Sequence, residues 1–453
     1  MRKLVRTLVL TAGAALMLGA TAFAAEPIRV QVNDQPIAFT DAQPEAKDGR
    51  TYIPMRATFN ALGFSDEDIA WDNATSTVTA KRGDLTIALK LGEKQITITE
   101  AGETRTIDTD AAAYASKNRT YVPVRFVAEA AGCNVGWDST DRIVLIDDVD
   151  ALLASNTETY ELMDQYLAYS KKLSEGNIAM KGDIGMSMSL ADLMDMSMGG
   201  TFDAIGSATA VEMKMDLDML IDMTVPDENG VENNVQQDQA LMVEACGDMD
   251  DGVMYFKSDE LTAMMGAQGD VWFKMDMNEI MSMEGMEEVL GGMDYSALLK
   301  LSKDSLNMSF EESLAAVLKL MPLTDDELTA KKTLDVINSI LADSAFQKNG
   351  TEYVSEFEMD GTELTIVLPT SGGKVNGFSA SVAMDGRDVM YMEMKGSEVV
   401  LVMQMVDEES GMALEMTLGA SYSKASRAPV TEPPANAVIV DYLEMMEMAA
   451  AAV

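Results

Sequence analysis

The sequence predicts an α+β protein: tandem small α+β repeats come first, followed by a curved, methionine-rich antiparallel sheet covered by helices in a half-barrel-like arrangement. Three observations predict this class. A motif recurs after 69 residues in the first third of the chain. Later segments alternate apolar and polar residues, as half-buried antiparallel strands do. Blocks with helical spacing of apolar residues interrupt those strands.

The first element is a leader that precedes the fold. Basic residues at positions 2, 3 and 6 come before a short apolar run, which ends in Ala22-Phe23-Ala24. This order is typical of a secretory signal peptide, and the run is too short to cross a bilayer. We therefore expect a signal peptide at 1–24 and a secreted or cell-surface protein. No transmembrane segment is expected to remain after cleavage.

Composition excludes several classes of function. Asp and Glu number 75 against 33 Lys and Arg, a net charge of −42, which disfavours binding to nucleic acid. The chain has no His, which removes His-based triads, His-ligated zinc or copper, and His general bases. We expect no enzyme, no cofactor and no metal site. Whether Cys133 and Cys246 form a disulfide stays open, since spacing alone gives no framework.

The repeat lies at 49–64 and 118–133, where both copies read Arg-Thr-Tyr-(Ile/Val)-Pro-(Met/Val)-Arg. Each copy predicts a short strand, a proline in the first turn of a helix, and a glycine that ends the helix. A Trp-Asp pair follows in both. The motif residues expected to maintain this unit are Tyr52, Pro54, Arg56 and Trp71, then Tyr121, Pro123, Arg125 and Trp137.

This paired motif resembles the copper amine oxidase N-terminal-like domain, or stalk domain, of Gram-positive bacterial surface proteins. The resemblance covers residues 27–148 and implies an accessory domain for adhesion, spacing or wall association. It does not imply an oxidase, because that enzyme needs three His on copper and a cofactor-forming Tyr, and this chain has no His.

Arg56 and Arg125 have two interpretations. Each guanidinium pairs with a local carboxylate or caps a helix turn within its own repeat, or the two bind an acidic wall polymer. Repetition of the whole motif favours the first. For the same reason Trp71 and Trp137 are expected in the core rather than on a ligand-binding surface.

The second domain is predicted at 150–425, with a helical insert at about 278–346. In segment 211–223, alternate residues place a row of apolar side chains on one face and mainly acids on the other. The same split recurs at 389–395 and 412–418. Asp-Gly pairs at 251, 360 and 385 predict hairpin turns, and capping boxes begin at Ser309 and Thr324. The tail at 426–453 predicts a Pro-rich linker and a short helix.

The order of helix, strands, helical insert and strands resembles the lipoprotein-carrier superfamily over about residues 157–424. Tyr255-Phe-Lys257 and Trp272-Phe-Lys274, each after a predicted hairpin, add to the resemblance. Members bind acyl chains in an apolar half-barrel, which implies a lipid-like ligand here. The candidates for lining such a cavity are Met213, Met215, Leu217, Met219, Ile221, Met223, Met390, Met392 and Met394.

The chain has 39 Met residues, which allow three interpretations. They only pack the core, they line an adaptable apolar cavity, or their thioethers bind Cu(I) or scavenge oxidants. We expect an exported, non-enzymatic cell-envelope protein that combines wall association or spacing with binding of an apolar ligand. The alternatives are a purely structural or adhesive surface protein and a thioether-based copper or redox protein. Expected partners are a cell-wall polymer, envelope proteins or an apolar ligand.

Overall fold

The structure is a computed structural model. It describes residues 28–190, 193–226, 232–264, 269–283, 295–305, 307–324, 328–407 and 411–451. The predicted signal peptide and most of the capping box that begins at Thr324 lie outside these residues. The chain divides into an N-terminal unit, Met1–Asp148 with Leu323–Thr329, and a C-terminal unit, Val149–Pro322 with Ala330–Val453.

The N-terminal unit contains three small sheets. Its helices are α1 (Met55–Ala61) and α2 (Val124–Ala130), and a 3-10 turn covers Asp66–Asp68. The strand orders are β12-β13-β1-β2, β10-β11-β4-β3 and β5-β6-β7-β8-β9. The strands are β1 Arg29–Val32, β2 Gln35–Pro36, β3 Glu45–Lys47, β4 Arg50–Pro54, β5 Ile69–Asp72, β6 Thr77–Arg82, β7 Leu85–Lys90, β8 Gln95–Glu100, β9 Glu103–Asp108, β10 Tyr114–Ser116, β11 Arg119–Pro123, β12 Asn134–Asp138 and β13 Ile143–Asp147.

The two copies of the repeat pair with each other. Strand β4 of the first copy runs antiparallel to β11 of the second, with Ile53 opposite Val122. Both of these side chains are completely buried. The Tyr-Ile-Pro and Tyr-Val-Pro segments are therefore the contact through which the two halves share one core.

The helix ends in the repeat follow the sequence signals closely. Pro54 and Pro123 are the N-cap residues, one position before the first turn that was predicted for them. Gly63 and Gly132 have φ of +80° and +82°, a conformation that glycine adopts without strain. The amide after each glycine donates to a carbonyl five residues back at 2.9 and 3.0 Å, which is the hydrogen bond of a Schellman helix end.

The C-terminal unit is built on one large antiparallel sheet, in the order β20-β21-β22-β24-β25-β26-β27-β14-β15-β16-β17-β18-β19-β28, with β23 paired to β22. Only the pair β19–β28 along this path is parallel. The strands are β14 Ile178–Leu190, β15 Met194–Gly206, β16 Ala210–Pro226, β17 Glu232–Asp248, β18 Val253–Ser258, β19 Val271–Asp276, β20 Gln347–Asn349, β21 Glu352–Met359, β22 Thr362–Ser371, β23 Lys374–Val375, β24 Gly377–Met384, β25 Arg387–Lys395, β26 Glu398–Asp407, β27 Met412–Lys424 and β28 Val438–Asp441.

The helices of this unit lie at both ends of the sheet. They are α3 Val149–Ser155, α4 Glu161–Ser174, α5 Asp259–Met264, α6 Met277–Met281, α7 Tyr295–Ser305, α8 Phe310–Leu320, α9 Ala330–Leu341 and α10 Tyr442–Ala451. The capping box that begins at Ser309 is present at the start of α8. Together with the sheet, these elements bear out a mixed α and β architecture.

The helical cover differs from the prediction that the insert lies over the methionine strands. Side chains of α3, α4, α8 and α9 form one cluster with Ile366, Leu368 and Ala380, which belong to β22 and β24. At the other end, the ring of Tyr442 in α10 lies 5.5 Å from that of Phe256 in β18. Among the described residues, these helices therefore pack beside the methionine strands and leave part of their face to solvent.

Two further elements differ from the predictions. The helix that the predicted order places before the strands is two helices, α3 and α4, and the first amides of α4 donate to Asp343. The tail carries a strand, β28, before its helix, and this strand pairs with β19.

Candidate functional site

The motif residues of the N-terminal unit divide into buried and exposed groups. Tyr52 and Tyr121 are buried, in keeping with a fold-maintaining role. Trp71 and Trp137 are 43% and 37% exposed, so the prediction that both lie in the core is wrong. Trp137 alternates with buried Gly136 and Asp138 along β12 and so faces outward. Trp71 is on the same face of β5 as buried Ile69, but β5 is the edge strand of its sheet, and there the ring stays exposed.

The two motif arginines have different surroundings. Arg56 forms an ion pair with Asp66 at 2.9 Å, as the fold-maintaining interpretation predicts. Asp66 lies in the 3-10 turn that leads into β5. The second copy is three residues shorter between its glycine and its tryptophan, so Gly132 leads directly into β12. Arg125 consequently has no counterpart of Asp66. The acid that its charge acts on is Glu129, one turn along α2: burial raises the pKa of Glu129, and the charge of Arg125 partly opposes that rise.

Arg125 borders a cleft of about 740 Å³ within the N-terminal unit. Its charged lining consists of Arg50, Arg125, Arg142 and a single acid, Asp110, which accepts from Arg50. The apolar lining includes the exposed ring of Trp137. We refer to this space as the arginine cleft.

Arg82 is an organising residue that sequence reasoning missed. Its guanidinium donates to the carbonyl oxygen of Leu62 at 2.5 Å and to that of Ala131 at 3.0 Å. These residues are the C-caps of α1 and α2. The same group forms an ion pair with buried Asp148 at 2.7 Å. One side chain thus satisfies the ends of both repeat helices, which no local pattern reveals.

The C-terminal unit brings all nine cavity candidates to one face of the large sheet. Six of them lie on β16 and three on β25, with β26, β27, β14 and β15 between these strands. Register and the alternation of side chains place both groups on the same side. Leu217 is buried, and the other eight are half-buried.

A row of methionines crosses this face, one on each of six neighbouring strands. The strand partners are Met390 with Met403, Met403 with Met416, Met416 with Met186, Met186 with Met198, and Met198 with Met219. Neighbouring strands lie about 4.8 Å apart, so the row extends about 24 Å. We call these six residues the methionine row. Met219 and Met390 were predicted for the site, and the other four were not.

The methionine row is partly open to solvent. Met403 is 43% exposed and Met416 is 36% exposed, while Met405, two residues along β26 on the same face, is 39% exposed. Of the nine candidates, Met213 lines a cavity of about 440 Å³. The exposure of Met403, Met405 and Met416 makes the face a half-open apolar surface.

The cavity beside Met213 lies under a segment of the tail, residues 427–434, which we call the strap. It has about 440 Å³ and is lined by Met180, Met213, Cys246 and Trp272 on the sheet, with Arg427 and Val430 above. Arg427 donates two hydrogen bonds to Glu212, at 2.5 and 2.7 Å, and the Val430 amide donates a third at 2.8 Å. The Arg427 guanidinium holds the pKa of the Glu212 carboxyl below its usual value.

The two cysteines are buried thiols, Cys133 in the N-terminal unit and Cys246 under the strap. Burial, reinforced by nearby carboxylates, raises the pKa of Cys246 to about 11. A thiol of this pKa is a poor nucleophile at neutral pH. Within the described ranges, no group of three or more Cys, Asp and Glu side chains is arranged to hold a metal ion.

A cavity of about 550 Å³ occurs further along the sheet. It is lined by residues of β14, β15, β16, β26 and β27, among them Ser187, Asp195 and Glu415. Its lining is more polar than the methionine row. No helix in the described part of the chain is both long and apolar enough to cross a membrane.

Comparison with known proteins identifies the N-terminal unit. Residues 31–146 match the sequence profile of the copper amine oxidase N-terminal domain, which bears out the resemblance seen in the repeat. A search of curated proteins gives no match.

Two of the solved structures that match the chain illustrate how weak the structural similarity is. One is a DUF1329 family protein from Desulfovibrio piger, at 7% identity and a TM-score of 0.19, covering 59% of this chain and 92% of that one. The other is a beta-barrel-like protein of DUF1849 from Brucella abortus, at 8% identity and a TM-score of 0.15, covering 55% and 98%. TM-scores of this size establish no common fold. The firm assignment is that residues 31–146 are similar to a copper amine oxidase N-terminal domain.

Proposed function

We propose that this chain is an exported, non-enzymatic envelope protein. Its N-terminal unit associates with the cell wall, and its C-terminal unit binds an apolar, lipid-like ligand on the face that carries the methionine row. Export is supported by the signal-peptide pattern at 1–24. Wall association is supported by the match of residues 31–146 to the copper amine oxidase N-terminal domain and by the resemblance of the repeat motif to the stalk domain of bacterial surface proteins.

The observation that carries the ligand half of the proposal is the half-open methionine row. Six thioether side chains stand in register on adjacent strands, between helices that pack over β22 and β24 and a helix that packs on β18. Contiguous exposed apolar surface is uncommon on soluble proteins and is typical of binding sites. Methionine is flexible and polarizable, so a surface made of it adapts to chains of varied shape.

A second candidate function follows from the same row. Thioethers on neighbouring strands stand about 4.8 Å apart at the backbone, which is close enough for two or three sulfurs to reach one Cu(I) ion. The exposed Met403, Met405 and Met416 are also accessible to oxidants. This candidate needs sulfur itself, whereas lipid binding needs only apolar volume.

Native mass spectrometry of the protein, purified gently from its own host, distinguishes these functions. Added mass that extracts into organic solvent as acyl lipid supports the carrier function. Copper that a Cu(I) chelator removes supports the second candidate. A protein that carries neither, and takes up neither a fluorescent fatty acid nor Cu(I), is a structural or adhesive surface protein.

Paired variants sharpen the test. Met403→Glu with Met416→Glu places charge on the apolar face, and we expect it to abolish fatty-acid binding. Gln404→Glu with Thr417→Glu places the same charges next door on the opposite face, as a matched control. Replacing all six row residues with Leu conserves volume approximately, so lipid binding should survive. If the Leu variant folded but lost binding, the function would depend on the sulfur atoms and not on apolar volume alone.

A further inference from the structure

The two repeats of the N-terminal unit form an internal comparison. In the first, Arg56 is paired with Asp66 of the 3-10 turn. In the second, the sequence that would carry this acid is missing, and the equivalent Arg125 is exposed at the arginine cleft. The second copy therefore keeps the motif arginine without the ion pair that occupies it in the first copy. The charge of Arg125 acts on Glu129 of its own helix, but its exposed guanidinium is not held by a counterpart of Asp66 and can contact an external anion.

The arginine cleft gathers positive charge from three segments. Arg50 comes from β4, Arg125 from α2, and Arg142 from the turn before β13. Among the described residues that line the cleft, the one carboxylate is Asp110, and it accepts from Arg50. Guanidinium groups bind phosphate and carboxylate through two parallel hydrogen bonds, which gives both affinity and orientation.

The charge of the whole chain makes this cleft distinctive. Residues 28–148 have 13 Lys and Arg and 19 Asp and Glu, a net charge of −6, whereas residues 149–453 have 17 and 55, a net charge of −38. A polyanion is repelled by the second region, so any anionic partner must bind the first. Screening at physiological salt confines that repulsion to about 8 Å, so a local cluster of arginines can still bind.

The remaining lining restricts the kind of anion. Trp137 is 37% exposed, and Phe126 and Val124 also line the cleft. Such a wall suits the apolar C–H faces of a sugar or polyol better than a small hydrated ion. A volume of about 740 Å³ lies within the range of ordinary ligand sites and accommodates a short stretch of polymer.

We infer that the arginine cleft binds an anionic carbohydrate or polyol polymer, with Arg125 contacting its phosphate or carboxylate groups and Trp137 contacting its carbon skeleton. This inference rests on the wall-association half of the proposed function and is independent of the methionine row. The shared chemistry is an anion repeated along a sugar-like chain. The polymer source, phosphodiester or uronic acid, is decided by the experiment.

The test uses the full mature chain and three immobilised polymers: a poly(glycerol phosphate), polygalacturonate and neutral dextran. We expect the chain to bind at least one of the first two, to ignore dextran, and to bind more weakly as salt rises. Arg125→Gln should weaken binding about tenfold, in keeping with loss of charge-assisted hydrogen bonds. Arg56→Gln is the matched control from the other repeat and should change binding less than about twofold, since Asp66 already occupies that group.

Two more variants keep the test decisive. Val135→Asp introduces a carboxylate into the cleft lining and should reduce binding as much as Arg125→Gln does. Trp137→Ala should weaken polymer binding while leaving the salt dependence unchanged, because no charge is removed. Circular dichroism verifies that each variant is folded.

The outcomes separate the two proposals. If the chain binds a polymer and Arg125→Gln does not change that binding, the arginine cleft is not the binding site. Wall association would still stand. A chain that binds neither anionic polymer and no isolated cell wall overturns both. Fatty-acid uptake by the C-terminal unit is measured on the same Arg125→Gln variant and should be unaffected.

Discussion

Arg50 of the first repeat donates from Nε to the carboxylate of Asp110, which belongs to the second repeat, at 2.9 Å. The relationship is reciprocal, since Arg119, the counterpart of Arg50, pairs with Asp41, the counterpart of Asp110. Each copy therefore supplies the cation for the other's acid. This exchange of ion pairs, together with the pairing of β4 and β11, joins the two repeats into one structural unit.

The reciprocal pairs predict a pH response. Hydrogen bonds from Arg50 and Arg119 hold the pKa values of Asp110 and Asp41 below the usual 3.8. A carboxyl whose pKa is lowered by folding stabilises the fold above its unfolded pKa, and this contribution is lost as pH falls through the lowered value. NMR titration should show Arg50→Gln raising the pKa of Asp110 while that of Asp41 stays low. Arg119→Gln should do the reverse, and equal effects of both variants on both acids would contradict the reciprocal arrangement.

Arg82→Ala should be among the more destabilising single changes in the N-terminal unit. It removes the hydrogen bonds that Arg82 donates to the Leu62 and Ala131 carbonyls and to the buried carboxylate of Asp148. We expect a loss of about 2–3 kcal/mol in the free energy of unfolding. The measurement is urea unfolding followed by tryptophan fluorescence. In a Trp272→Phe background the remaining tryptophans, Trp71 and Trp137, both lie in the N-terminal unit, so the signal reports the unfolding of that unit. Arg82→Lys should recover only part of the loss, because one ammonium cannot reach all three acceptors. Arg105→Ala, at an exposed position of β9, is the control.

The strap over Cys246 should open when its anchor is neutralised. Glu212→Gln removes the charge that binds Arg427 and accepts from the Val430 amide. We expect faster hydrogen exchange at Val430 and faster alkylation of Cys246, whose thiol is otherwise buried. Cys133, in the other unit, is the internal control and should keep its rate. Asp203→Asn, elsewhere in the same cavity lining and not among the carboxylates that raise the pKa of Cys246, should leave both readouts unchanged.

Acid should loosen the strap in the wild-type chain as well. Arg427 lowers the pKa of Glu212 below the usual 4.5, so the anchor is intact above that pH and weakens as pH falls through the lowered value. Exchange at Val430, corrected for the intrinsic pH dependence of amide exchange, should therefore rise only in acid. A strap that loosens equally in the Arg427→Gln variant would show that this ion pair is not the anchor.

Oxidation should proceed in the order of methionine exposure. Dilute peroxide converts a thioether to a sulfoxide with release of water, and accessible sulfur reacts first. Peptide mass spectrometry should find Met403, Met405 and Met416 oxidised well before Met163, which is 5% exposed. Bound fatty acid should slow oxidation of Met403 and Met416 in particular. Protection of Met163 alone would place the ligand elsewhere.

Much of the architecture was predictable from local patterns. The strict alternation in 211–223 predicted β16 with one apolar face, and the structure has that strand and that face. Asp360-Gly361 and Asp385-Gly386 predicted turns, and both residues of each pair have positive φ. The repeated Tyr-x-Pro-x-Arg motif predicted a duplicated unit, and residues 31–146 match the corresponding domain. In each case the signal lies within a few residues of the element that it specifies.

The candidate site was predictable in part. Alternation identified Met219 and Met390 as members of an apolar face, but it did not indicate that they stand in one row with Met403, Met416, Met186 and Met198. Strand order decides that, since β14 pairs with β27, more than 220 residues away along the chain. The exposed positions of Trp71 and Trp137 likewise depend on which side of a strand other elements cover.

By itself, the sequence determined the periods of its strands and helices, the turn and cap positions, and the duplicated motif, because backbone preference and side-chain alternation act over a few residues. Only the tertiary structure decided that Asp343 begins α4, that Arg82 ends two helices, and that Arg125 lacks the partner that Arg56 has. These contacts join residues far apart in the chain. Their existence depends on how the sheets pack, and no local pattern encodes that packing.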